Sequence, residues 1–197
     1  NPSFSPQAEH LGIIDWFTLM LGVVGVVTLA IHGANWIIFK TNSDLNQKLK
    51  KVVFKLNFVL LTLVIISLLT WHSIEPKPFH NFMDHPWLWI FPLIAFTGLF
   101  GLFKVKSFKR DGLGFLFSSM FLLGGLASTV TSIFPNLLPS TNEVNPSLTL
   151  YNVAADQYGL TVGVYWFVIA AILVGVYIFV QYSVFKGKMD DASYGEH

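Results

Sequence analysis

Histidine and a short run of intramembrane polar residues are the groups in this chain best suited to chemistry. Of the six histidines, His32 stands inside a long apolar run with Asn35 three positions on, so the two share one helix face. A pair of imidazoles could ligate a heme, and a cluster with carboxylates could hold a metal. Depth decides which of them could cooperate. His32 falls about 20 residues into its run, about 30 Å along a helix, near one membrane boundary. His10, His72, His80 and His85 fall at or beyond the opposite boundary, and His197 is in the tail. His32 therefore shares no metal or heme with the others. The outer histidines have no i, i+4 pair or other recognised ligand spacing, so interfacial histidines are expected there rather than a metal site.

His32 and Asn35 have two readings. A polar residue at membrane depth faces protein or water, so the pair could touch a quinone headgroup or a proton path, or it could simply make an interhelical hydrogen bond. The second is the expectation. Asp15 opens the same run, where a carboxylate suits the positive end of the helix dipole, and Asn57 in the next run reads as a hydrogen-bonding group between helices. The chain has no Gly-x-Ser-x-Gly elbow, phosphate loop, paired carboxylates or His-Glu-x-x-His. It also has no cysteine, which removes thiolate nucleophiles and Cys-ligated clusters.

The elements that must position these groups follow from composition. Hydrophobic residues make up 53% and charged residues only 12% of the 197 positions, about half the charged share of a soluble domain. Spanning a hydrocarbon core of about 30 Å takes about 20 apolar residues. Runs of that order cover residues 12–39, 52–71, 86–103, 113–134 and 160–185, the first long enough to tilt or project and the third barely sufficient. They are continuously apolar rather than alternating, which predicts an all-α integral membrane helical bundle of about five spans in one transmembrane domain. Pro86 suits a first helical position, and Pro92 predicts a kink. Gly22 and Gly25, and Gly124 and Gly125 with Ser128 and Ser132, predict close helix contacts. The connection 135–159 is long, and two readings stand side by side: an ordered loop folded over the periplasmic face, with Asn152 or Asp156 capping a short helical turn, or a passive connector.

Orientation follows from the twelve lysines and arginines. All but Lys77 fall in the connection after the first run, in the one after the third, or in the tail. By the positive-inside rule that side is cytoplasmic, so the N-terminus lies outside and the C-terminus inside. A net charge of +1 with no basic face to spare gives no sign of a nucleic-acid partner.

From Phe115 onward the sequence becomes specific. Phe115 with Ser118-Ser119, Phe134-Pro135, Leu138-Pro139-Ser140, Ser147-Leu148-Thr149, Tyr151-Asn152, Leu160-Thr161 and Phe185-Lys186-Gly187-Lys188 closely resemble the C-terminal end of subunit II of cytochrome bd quinol oxidases. The first run, with His32-Gly33-Ala34 and Lys40-Thr41, resembles the helix that opens the second half of that subunit. Pro86 to Pro92 resembles its short proline-bearing helix. Gly175 departs from the pattern, since a proline is expected there. The resemblance covers essentially the whole chain but only the C-terminal half of a subunit. Together with an opening Asn1-Pro2-Ser3 that lacks an initiator Met, this implies a fragment or one half of a split subunit.

The resemblance implies a part of a quinol:oxygen oxidoreductase in the bacterial inner membrane. The b and d hemes would belong to subunit I, with this chain packing beside it and ligating none. Its implied partners are subunit I, the N-terminal half of subunit II, small accessory subunits, membrane lipid and a structural quinone. A competing reading is half of a transporter or channel, in which broken helices and a central ionisable residue are expected. Only one proline-interrupted run and no central carboxylate are found.

Overall fold

An apolar run in a bilayer leaves the backbone no partner but itself, so each such run folds as a helix. The computed structural model describes residues 16–42, 44–74, 80–104, 110–138, 147–184 and 187–190. In order these form α1 (Trp16–Lys40), β1 (Thr41–Asn42), α2 (Asp44–Ile74), α3 (His80–Asp84), a 3-10 turn (Pro86–Trp89), α4 (Ile90–Leu102), α5 (Gly112–Ile133), β2 (Asn136–Leu138), β3 (Leu148–Thr149), α6 (Gln157–Val184) and β4 (Met189–Asp190). Asp15, His10 and His197 lie outside the described residues, as do the side chains of His72 and His80. Four helices are long and apolar enough to cross a membrane, and Pro86–Leu102 is a shorter apolar helix. The chain is an all-α membrane helical bundle.

Two units divide it: residues 1–132 with 189–197, and residues 133–188. In the first, α1 and α2 pack as an antiparallel hairpin around Ile31, Ile38, Val53 and Leu60, joined by Leu99 and Leu102 of α4. Phe117 and Phe121 of α5 close over this core. At the lysine-rich end β1 pairs in parallel with β4, Thr41 opposite Met189 and Asn42 opposite Asp190.

Three departures from expectation have physical causes. First, α2 begins at Asp44 rather than near residue 52, so Lys48, Lys50, Lys51 and Lys55 are helical. Leu, Gln and Lys are good helix formers, and Asp44 in the first turn favours the dipole, so the helix projects beyond its apolar stretch. Second, the interruption assigned to Pro92 takes another form. A 3-10 turn with Pro86 at its start precedes α4, and Pro92 falls in the first α-helical turn, where N–H groups lack helical acceptors anyway. Third, a Cβ built on Gly22, Gly25 or Gly125 meets nothing within 4 Å, whereas one on Gly124 would lie 2.5 Å from the Ala95 nitrogen. Backbone-to-backbone approach is seen at the α4–α5 contact, where Gly98 likewise faces the Phe121 nitrogen at 2.5 Å.

The Pro86–Leu102 segment is a shorter apolar helix. Its length is about 28 Å, counting the 3-10 turn at the larger rise, close to the hydrocarbon thickness. Lys50, near the start of α2, contacts Asp111, just before α5, at 2.6 Å, which brings the starts of α2 and α5 together.

In the second unit β2 and β3 form an antiparallel pair, Asn136 opposite Thr149 and Leu138 opposite Leu148, after a cis Phe134–Pro135 bond. The Leu150 N–H donates to the Pro135 carbonyl at 3.0 Å. Thr149 and Asn152 build a capping box: the Thr149 N–H donates to Asn152 Oδ1 at 2.7 Å, and the Asn152 N–H to Thr149 Oγ1 at 3.3 Å. Asn152 thus occupies the third helical position of this turn rather than its N-cap. The helix that follows, α6, is apolar on all sides and buries none of its residues.

Candidate functional site

His32 stands two turns before the end of α1 and meets α5. Its Nδ1 lies 2.9 Å from Ser118 Oγ, and Ser118 donates its hydroxyl proton to the Phe115 carbonyl at 2.9 Å. A hydroxyl has one proton to give, so its oxygen accepts from His32 Nδ1–H. A proton on Nδ1 is the arrangement that satisfies both contacts of the Ser118 hydroxyl. Ser118 sits in the first two turns of α5, and Phe115, one turn earlier, presents its ring to His32 at 4.6 Å, to Trp36 at 5.0 Å and to Phe39 at 6.4 Å. Lys40 closes the group, its Nζ 5.4 Å from the Trp36 ring and 5.7 Å from Phe39. The result is an imidazole against the Phe115 ring, which in turn meets Trp36 and Phe39, with the Lys40 ammonium over those two rings.

Asn35 shares the helix face expected of it, but its role differs. Fully buried, it donates from Nδ2 to the Ile31 carbonyl one turn back at 2.9 Å. His32 bonds to α5 while Asn35 turns into the α1–α2 core, so each serves a separate contact.

Three further asparagines share a role that spacing alone could not reveal. The last carbonyls of a helix lack intrahelical donors, and inside a membrane no water replaces them. Asn46 donates to the Ile38 carbonyl of α1 at 2.9 Å and to that of Thr41 at 3.2 Å. Asn57, fully buried in α2, donates to the Leu102 carbonyl, the last of α4, at 2.9 Å. Asn81 in α3 donates to both the Thr131 and Ser132 carbonyls at the end of α5, each at 3.1 Å. The turn after α4 tightens in the same sense, Phe103 and Lys104 donating to Phe100 and Gly101. These side chains stitch one helix to the end of another. The signal in sequence was the residue type at depth; the acceptor depends on where α4 and α5 stop.

Among the described residues no group of three or more His, Asp or Glu could hold a metal ion. His32 has its Nδ1 engaged with α5, and His85 is exposed beside Pro86 at the opposite end of the chain's path. His32 and His85 are the histidines whose side chains are described.

A helical bundle with four helices long and apolar enough to cross a membrane is a multi-pass integral membrane protein, here of the bacterial inner membrane. Residues 4–185 match the family described as cytochrome bd terminal oxidase subunit II, and the chain belongs to that family. It is 26% identical over 204 aligned residues to a Haemophilus influenzae protein described as a probable cytochrome oxidase subunit 2, an alignment covering 90% of this chain and 54% of that protein. The chain thus spans about half the length of the relative it matches.

Proposed function

We propose that this chain is the C-terminal, membrane-embedded half of a subunit II that packs against the heme-bearing subunit of a quinol:oxygen oxidoreductase. It supplies scaffold rather than heme ligands. The hemes b and d reside in subunit I, and the chain works with the remaining half of subunit II, with small accessory subunits and with a structural quinone or lipid. The observation that carries this reading is the use of the intramembrane polar groups. Within a family match over residues 4–185, His32 binds Ser118, Asn57 binds the end of α4 and Asn81 the end of α5, which leaves no redox or ligand cluster among the described residues. His32 is read as an interhelical contact, and Asn35 as a group of the α1–α2 core rather than a quinone or proton contact.

The test is an absorption spectrum. Purified with its natural partners, the preparation should show b- and d-type bands and a co-purifying heme subunit. Separated from that subunit, the chain should show none. Heme bands that stay with the isolated chain would overturn the scaffold role.

A further inference from the structure

Because α2 starts early, its first three turns carry Lys48, Lys51 and Lys55 at spacings of three and four, on a single helix face. All three are exposed. Their neighbour Lys50 turns inward to Asp111, but among the described residues Lys48, Lys51 and Lys55 have no ion-pair partner. Asp44, one turn before Lys48, makes no ion pair with it either. Three like charges within three turns repel one another, so this arrangement calls for an anion from outside the chain.

The same face continues into the membrane as Val59, Ile66 and Leu69, all exposed. From Val59 to Leu69 is about 15 Å along the helix, the depth of one hydrocarbon leaflet. The stripe therefore reads, from its basic end inward, as three cations and then a leaflet's depth of apolar contact. A soluble acidic peptide would match only the cations. A phospholipid with an anionic headgroup matches both parts, with its phosphate on the lysines and an acyl chain along Val59, Ile66 and Leu69.

We propose that this face of α2 is a binding site for an anionic phospholipid of the leaflet on the lysine-rich side, which the positive-inside rule makes cytoplasmic. The site selects by charge, because a zwitterionic headgroup offers no net counter-ion to unpaired lysines. It does not depend on the oxidase reading, since it needs only the helix and its orientation.

The experiment uses the protein with its co-purifying chains, reconstituted at low ionic strength into phosphatidylcholine vesicles. Spin-labelled phosphatidylglycerol and spin-labelled phosphatidylcholine are added in parallel, and electron paramagnetic resonance measures the immobilised fraction of each. The wild type should immobilise phosphatidylglycerol in preference. Lys51→Gln should reduce the relative association constant about fivefold, and Lys51→Arg should keep it. Equal immobilisation of the two lipids by the wild type would overturn the proposal without any variant. So would a preference that survives the triple change K48Q/K51Q/K55Q. If that triple variant instead sheds a co-purifying polypeptide while its phosphatidylglycerol preference persists, the stripe is a protein contact and the lipid site is wrong.

Discussion

His32, conspicuous in sequence, is proposed above as an interhelical contact. Its Nδ1–H is committed to Ser118, and a neutral hydrogen bond inside a membrane contributes about 0.6 to 1 kcal/mol. His32→Gln keeps a side-chain donor near Ser118, so oxidase turnover of the assembled complex should change less than twofold, while a loss of tenfold or more would return the residue to a proton or quinone role. Asn57 is the opposite case, inconspicuous in sequence yet decisive in place. Asn57→Ala strips the Leu102 carbonyl of its donor in a buried position, which should cost about 1 to 3 kcal/mol, read as a lowered midpoint of thermal unfolding in detergent. The presence of both polar residues was legible from their setting in apolar runs. Their partners were not, because Ser118 and Leu102 become neighbours only when α5 and α4 dock. Nor does sequence show that Asn35, on the same face as His32, turns to a different contact.

At the scale of helices, hydropathy placed the long apolar runs well, since burying an unpaired backbone in hydrocarbon leaves helix as the one solution. It misplaced the start of α2, because a lysine-rich segment looks like a loop when only hydropathy is considered, yet its residues favour helix. It also spread close contacts over every small residue, where the structure uses a few. Gly98 and Gly124 face backbone atoms across the α4–α5 contact, and neither backbone can yield as a side chain would. Gly98→Ala or Gly124→Ala should therefore push the two helices apart and cost about 3 kcal/mol. Gly25→Ala, with nothing within 4 Å of the added methyl, should leave stability unchanged or raise it by up to about 1 kcal/mol. The comparison is made by thermal unfolding of the three variants side by side, and equal effects would remove the special status of the α4–α5 seam.

For the whole molecule, the contacts that join distant segments rank by the length of chain between their partners. Asn46 reaches the Ile38 carbonyl eight positions away, Asn57 reaches Leu102 across 45, Asn81 reaches Ser132 across 51, and His32 reaches Ser118 across 86. A ribosome adding 5 to 20 residues per second delivers Leu102 roughly 2 to 9 s after Asn57. During that wait the α1–α2 hairpin can already close through Asn46, while Asn57 stands in the bilayer with its amide unspent. A polar group left wanting at that depth favours whichever helix end arrives to satisfy it, and the next to arrive is that of the short α4. For α4 and α5 the donor, Asn57 or Asn81, is thus made before the helix end that it caps.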